Sequence, residues 1–148
     1  MSHVRQQVRD AFKTALAGMT AVEGVHGIRT DPFSASELPA IQITTPTETI
    51  GPLDNTDVET DRDIQVDVSI WDLGDEGVDD KLDDIAAQIE SRILNATGGI
   101  WDDGSGVIFL FPSSATMNLG ELAEKTAVVL TTRFRVRLQA STPETIGD

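Results

Sequence analysis

Val128-Val129-Leu130-Thr131-Thr132-Arg133-Phe134-Arg135-Val136-Arg137-Leu138 reads as one long strand with two faces of opposite character. Side chains alternate along a strand, so Val128, Leu130, Phe134, Val136 and Leu138 share one face, and Arg133, Arg135 and Arg137 share the other. An earlier stretch, Asp63-Ile64-Gln65-Val66-Asp67-Val68-Ser69-Ile70, has the same alternation with the opposite charge. Its apolar set is Ile64, Val66, Val68 and Ile70; its other face carries Asp63, Gln65 and Asp67. One side of the sheet is therefore built for a core. The other sets acid on one strand and base on another, as suits a surface that meets another polar surface, a second copy of the chain included.

Helical spacing appears twice. Val4, Val8, Ala11, Phe12, Ala15, Leu16 and Met19 predict a first helix from His3 to Met19, with Ser2 as N-cap and Gly18 marking its end. Arg5, Arg9 and Lys13 stand four residues apart on it and form one basic stripe, either a solvated face or a docking stripe for an acidic neighbour. Val78, Leu82, Ile85, Ala86, Ile89 and Ile93 predict a second helix from Val78 to about Leu94, after breaks at Gly74 and Gly77.

The remaining pattern is mostly strand. Val25 to Thr30 and Ala40 to Thr44 read as strands. Between Thr45 and Thr60 lies a polar stretch with Pro46, Gly51 and Pro52, expected to be an arm or extended hairpin that orders on a partner. Val107-Ile108-Phe109-Leu110-Phe111 is apolar on both parities, which implies burial on both faces. Its second cover is either Trp71 or Trp101 from within, or a neighbouring subunit. Gly98-Gly99 and Asp102 to Gly106 are turn chemistry. The order helix, strands, helix, strands predicts an α+β domain: a mainly antiparallel sheet of about four to five strands with both helices on one face. Residues 1–140 read as one domain, and 141–148 as a flexible tail.

Composition narrows the function. The 148 residues include no cysteine and carry a formal charge of −14. Thiolate chemistry is excluded, and ordinary affinity for nucleic acid or anionic membranes, which needs a basic footprint, is disfavoured. The start of the chain is polar, without a signal segment, and no apolar run reaches the length needed to span a bilayer, so a soluble protein is expected. From Asp54 to Asp103, sixteen acids face three bases, Arg62, Lys81 and Arg92. A general solubility device would be spread more evenly than this.

Chemistry finds little support. His3 and His26 lie in unrelated contexts, and no G-x-S-x-G, H-E-x-x-H or P-loop occurs, so no catalytic residue is assigned. The acidic run Asp72 to Asp84 fits an EF-hand loop poorly. Gly74 stands at the third position, and the twelfth is Asp83 instead of a bidentate glutamate, so no metal or cofactor is assigned. Asp79 and Asp80 suit the first turn of a helix, where the macrodipole favours anions. Yet the pairs Asp79/Asp83 and Asp80/Asp84 each cost about 0.2–0.5 kcal/mol in like-charge repulsion. Stability alone would not select them.

The succession of segments resembles the tail terminators of long-tailed bacteriophages, the minor tail protein U type. The resemblance is carried by Val4-Arg5-Gln6-Gln7-Val8-Arg9-Asp10-Ala11-Phe12, Leu38-Pro39-Ala40-Ile41-Gln42-Ile43 with its polar loop, Arg62 to Trp71, Val78 to Leu94, and Arg133 to Leu138. It spans most of the chain without any invariant catalytic motif, and head–tail joining proteins share much of the pattern. The resemblance implies a non-enzymatic ring, usually a hexamer, that caps the tail tube, ends its growth and presents a surface to the head connector. Its partners would be its own copies, the major tail tube protein and a head-completion protein. DNA would pass through the hole without specific binding, in a virion assembled in the host cytoplasm. A ring needs two unlike complementary patches. The expected contact residues are Arg133, Arg135, Arg137, Asp63, Asp67, Arg5, Arg9 and Lys13. Asp79, Asp80, Asp83 and Asp84 are expected at the lumen or at a docking surface.

Overall fold

Strands that bury one face and charge the other need a partner of matching register, and β3 (Thr60–Leu73) finds it in β5 (Lys125–Thr142). The two run antiparallel over fourteen residue pairs, from Thr60 opposite Ala140 to Leu73 opposite Ala127. This register sets Ile64, Val66, Val68 and Ile70 beside Val136, Phe134, Thr132 and Leu130 on one face. The computed structural model describes residues 2–52, 60–102, 106–122 and 125–147.

Around this pair lie α1 (Val4–Leu16), β1 (Gly24–His26), β2 (Ala40–Pro52), α2 (Val78–Leu94), β4 (Val107–Leu122) and β6 (Thr145–Ile146). The strand order is β1-β2-β3-β5-β4, with β6 pairing β5. The α+β class holds, but the sheet has six strands and is mixed, because β1 runs parallel to β2. The cause is residues 27–39, which cross back over the sheet's outer face before β2 begins. There Phe33 and Leu38 bury against Ala40 and Ala127, with Trp71 and Leu73 packed beside them.

The main core lies on the opposite, inner face. Val4, Val8, Phe12 and Leu16 of α1 and Leu82, Ile85, Ile89 and Ile93 of α2 bury against the apolar rows of β3 and β5. The Phe12 ring meets Phe134 edge-on at 5.5 Å and Trp101 at 5.8 Å, geometry that aromatic quadrupoles favour. α2 spans the limits that its apolar spacing predicts, and Gly77 precedes it with φ +78, a conformation that costs glycine little.

Four expectations are corrected or narrowed. α1 is shorter than His3–Met19, and its N-cap is His3, whose Nδ1 accepts from the Arg5 backbone N–H at 3.1 Å; Ser2 sits one residue too early. Thr45 to Pro52 is paired strand, the extended-hairpin form of the two expected, since β2 stays paired with β3 as far as Pro52 opposite Thr60 across one bulge; residues 53–59 of the expected arm lie outside the described residues. The segment after Ala140 turns back as β6, with the Pro143 carbonyl accepting from Val4 N–H at 2.8 Å and the Gln139 carbonyl from Gly147 N–H at 2.8 Å. Lastly, Val107–Phe111 is covered from within the chain on its inner face alone, where Val107 and Leu110 pack against the core, and neither Trp71 nor Trp101 covers the outer one. Ile108 is 50 % exposed, and Phe109 and Phe111 point to the outer face.

A buried ion pair fixes the far end of the inner face. Glu48 of β2 lies 3.1 Å from Arg62 of β3 and 2.6 Å from Arg5 of α1, and Arg62 also donates to Thr60 Oγ1 at 3.1 Å. Arg62 is 5 % exposed. Removing one member of such a pair leaves an uncompensated charge in low dielectric. Glu48→Ala is therefore expected to destabilise the fold by about 3–5 kcal/mol, read as a lowered midpoint in urea denaturation.

Candidate functional site

The outer face of the sheet carries a ladder of charge. Arg133, Arg135 and Arg137 of β5 pair with Asp67, Asp63 and Asp61 of β3. Arg133 Nε stands 3.1 Å from Asp67 Oδ1, directly across the register, whereas Arg135 and Arg137 each lean diagonally to an acid two residues earlier on β3. Gln65 lies between, and its amide oxygen, turned toward Arg133, accepts from Nη2 at 3.1 Å. Hydrogen bonding to Asp63 and then its charge raise the Arg135 guanidinium above its ordinary pKa; Asp61 does the same for Arg137. The arginines remain about half exposed.

On their other side these cations meet β4. The Arg135 guanidinium lies 5.9 Å from the Phe111 ring centre and that of Arg137 lies 5.7 Å from Phe109, within cation–π reach. Each row thus runs aromatic, cation, anion across three strands. Trp71 and Trp101 cover neither phenylalanine, because Trp71 packs with Phe33 and Trp101 with Phe12. The opposite charges first read as complementary surfaces meet, in large part, within one chain.

The helix layer distributes charge differently. Arg5 is committed to Glu48. Arg9 donates to Thr45 Oγ1, and Lys13 Nζ approaches Gly27; together they line an open cleft of about 740 Å³ with Ile28, Ile43 and Pro46, against the β1–β2 end of the sheet. No ion pair to Arg9 or Lys13 occurs among the described residues. At the other end, Asp79, Asp80, Asp83 and Asp84 are exposed on α2 and also lack ion-pair partners among the described residues. Asp72, the first acid of the run compared with an EF-hand, is instead held by Lys81 at 2.7 Å. Among the described residues no group of three or more His, Asp or Glu side chains could hold a metal ion.

The sequence reading missed two features. Asp61 shares the parity of Asp63 and Asp67, so alternation alone places it on the ladder. The extent of β4 was hidden by bulges around Ile108 and between Pro112 and Ser114, which reset its parity. After the second bulge, Thr116 and Asn118 continue the outer face, and Met117 and Leu119 turn to the helix side.

The Phe33 crossover is tied down by Arg29, which lies 2.6 Å from Glu37. The Arg29 hydrogen bond, then those from the Ser34 backbone and hydroxyl, lower the Glu37 pKa from 4.5 to about 2. A lowered folded-state value stabilises above the unfolded pKa and loses that contribution as pH falls through the folded one. Between pH 4.5 and about 2 the crossover is expected to loosen from Trp71, read as a Trp71 fluorescence change in a Trp101→Phe background. Glu37→Gln should remove that acid limb.

Compared with protein-family models and with curated proteins, the sequence matches none.

Proposed function

We propose that this chain is a ring-forming structural protein of the phage tail terminator type, which acts by occupying the end of a tail tube rather than by chemistry. The observation that carries the reading is where exposed apolar side chains collect. Of the eight large hydrophobics exposed among the described residues, Ile108, Phe109, Phe111, Met117 and Leu119 lie on β4 and Ile28 and Ile50 at the β1–β2 end. Both ends of the sheet are also open edges: β4 pairs only with β5, and β2 beyond Gln42 pairs only with β3, among the described residues. Open edges attract further strands. Because the two ends differ, each suits the other rather than itself. Contacts of that head-to-tail kind close into rings when the rotation allows.

In such a ring, strands lying along the axis direct the β2–β3 hairpin toward one mouth, and we assign that mouth to the tube. The acidic surface lets DNA pass without adhering, since like charges repel. The other partner is the head-completion protein, and the place of action is the virion, after assembly in the host cytoplasm. A neighbouring head–tail connector would use the same ring. The two differ in what they bind, the terminator the end of the tail tube and the connector the head.

The purified protein is expected to form closed rings with a central hole in negative-stain images, each contact burying about 1,200–2,000 Å². Deleting the gene from its phage should give tails that extend past normal length and fail to join heads, and adding the protein to fresh tails should restore joining. Tails of normal length joined to heads in the deletion would remove the terminator assignment. Rings bound elsewhere than the tube end would favour the connector.

A further inference from the structure

The registers fix how the two edges of the sheet stand relative to one another. Followed across the sheet, Asn118 is opposite Val129, Val129 opposite Trp71, Trp71 opposite Ala40 and Ala40 opposite Gly24. The same path takes Met117 to Val25 and Thr116 to His26. The middle of the β4 edge therefore lies level with the outer edge of β1. β4 also runs opposite to β1 and β2, since three antiparallel steps separate it from β2. A rotation about an axis parallel to the strands, without rise, sets β4 of one copy antiparallel to β1 of the next.

That rotation also joins the helix layers. α1 lies over β1 and β2, whereas α2 lies over β3, β5 and β4. Arg9 and Lys13 occupy the α1 flank that faces the β1–β2 end. On α2, Arg92 reaches toward α1, donating to the Ala17 carbonyl at 3.0 Å. At about 100° per residue, Asp83 falls half a turn from Arg92, with Asp79 and Glu90 on the same outward flank. The outward flanks of the two helices thus carry opposite charge above opposite edges of the sheet.

We propose that the β4 edge of one copy pairs antiparallel with β1 of a second copy, and that Asp79, Asp83 and Glu90 of the first meet Arg9 and Lys13 of the second. This rests on the ring reading and specifies its contact. Met117 and Leu119, 40 % and 78 % exposed, then meet the end that holds Ile28, 82 % exposed. The outer-face ladder stays within each chain and serves as its surface, not as the subunit joint.

Charge reversal tests it. Arg9→Glu/Lys13→Glu and Asp79→Lys/Asp83→Lys should each remain folded and weaken assembly by at least about tenfold. Mixed in equal amounts, they should assemble again, because each kind of joint in an alternating ring then sets opposite charges together. The chain holds no cysteine, so Met117→Cys and Val25→Cys, mixed under oxidising conditions, should give a crosslinked dimer that neither gives alone. Wild-type protein that stays monomeric at every concentration would overturn the ring reading and this contact together. Wild-type rings alongside reversed variants that assemble equally well, or no crosslink, would keep the ring and overturn the contact.

Discussion

Alternation along a strand is the constraint on which the molecule depends, and the β3–β5 pairing enforces it. A slip of one residue would carry Ile64, Val66 and Phe134 out to solvent and bring Asp63 and Arg135 into the core. The burial of both helices rests on that parity, since the apolar stripes of α1 and α2 pack on the inward rows of β3 and β5. The arginine ladder follows from the same register: with apolar rows inward, three cations and three acids are left on adjacent strands within reach of one another. Exposed pairs of this kind contribute little to stability. They favour the correct register, because shifted pairing sets unlike partners apart.

The ladder also changes what the charge asymmetry means. Acids concentrate in the middle third of the chain, but Asp61, Asp63 and Asp67 are balanced by β5 and Asp72 by Lys81. Arg5 and Arg62 are likewise occupied by Glu48. Set these aside and, among the described residues, a contrast remains in the helix layer, with Arg9 and Lys13 over one end of the sheet and the α2 carboxylates over the other. A linear count of charge could not show this, because it does not know which strands are neighbours.

Much of the fold was legible for local reasons. The α2 limits followed from apolar offsets and a glycine break, and β3 and β5 from strict alternation. β2 beyond Thr44 was not, because Thr45, Pro46, Thr47 and Glu48 resemble loop composition; pairing with β3 and the burial of Glu48 against Arg62 override that local preference. β1 is three residues long, and its parallel pairing depends on a crossover anchored by Phe33, a contact with no periodic signature. β4 misled in a more instructive way. Its apolar residues on both parities suggested burial on both faces, whereas Val107 and Leu110 pack against the main core and Phe109 and Phe111 lie beside arginines on the outer face. Of the candidate residues, the ladder was visible in sequence and its internal pairing was not. The basic stripe divided, Arg5 turning inward while Arg9 and Lys13 stayed at the edge.

A sixteen-residue edge strand with exposed isoleucine, phenylalanine and leucine is ordinarily an aggregation hazard. Several features of this chain oppose indiscriminate pairing. The bulges interrupt the edge, and Pro112 offers no N–H to an incoming strand. A net charge of −14 on every copy makes approach unfavourable in most orientations. That repulsion is long-ranged and screened by salt, whereas opposite charges brought into contact are partly desolvated and screened less. On the proposed reading, the orientation that sets the α2 acids against Arg9 and Lys13 is the one in which local attraction offsets the general repulsion. Net charge would then serve selectivity as well as solubility, leaving the open edges free until a copy arrives in the orientation that closes a ring.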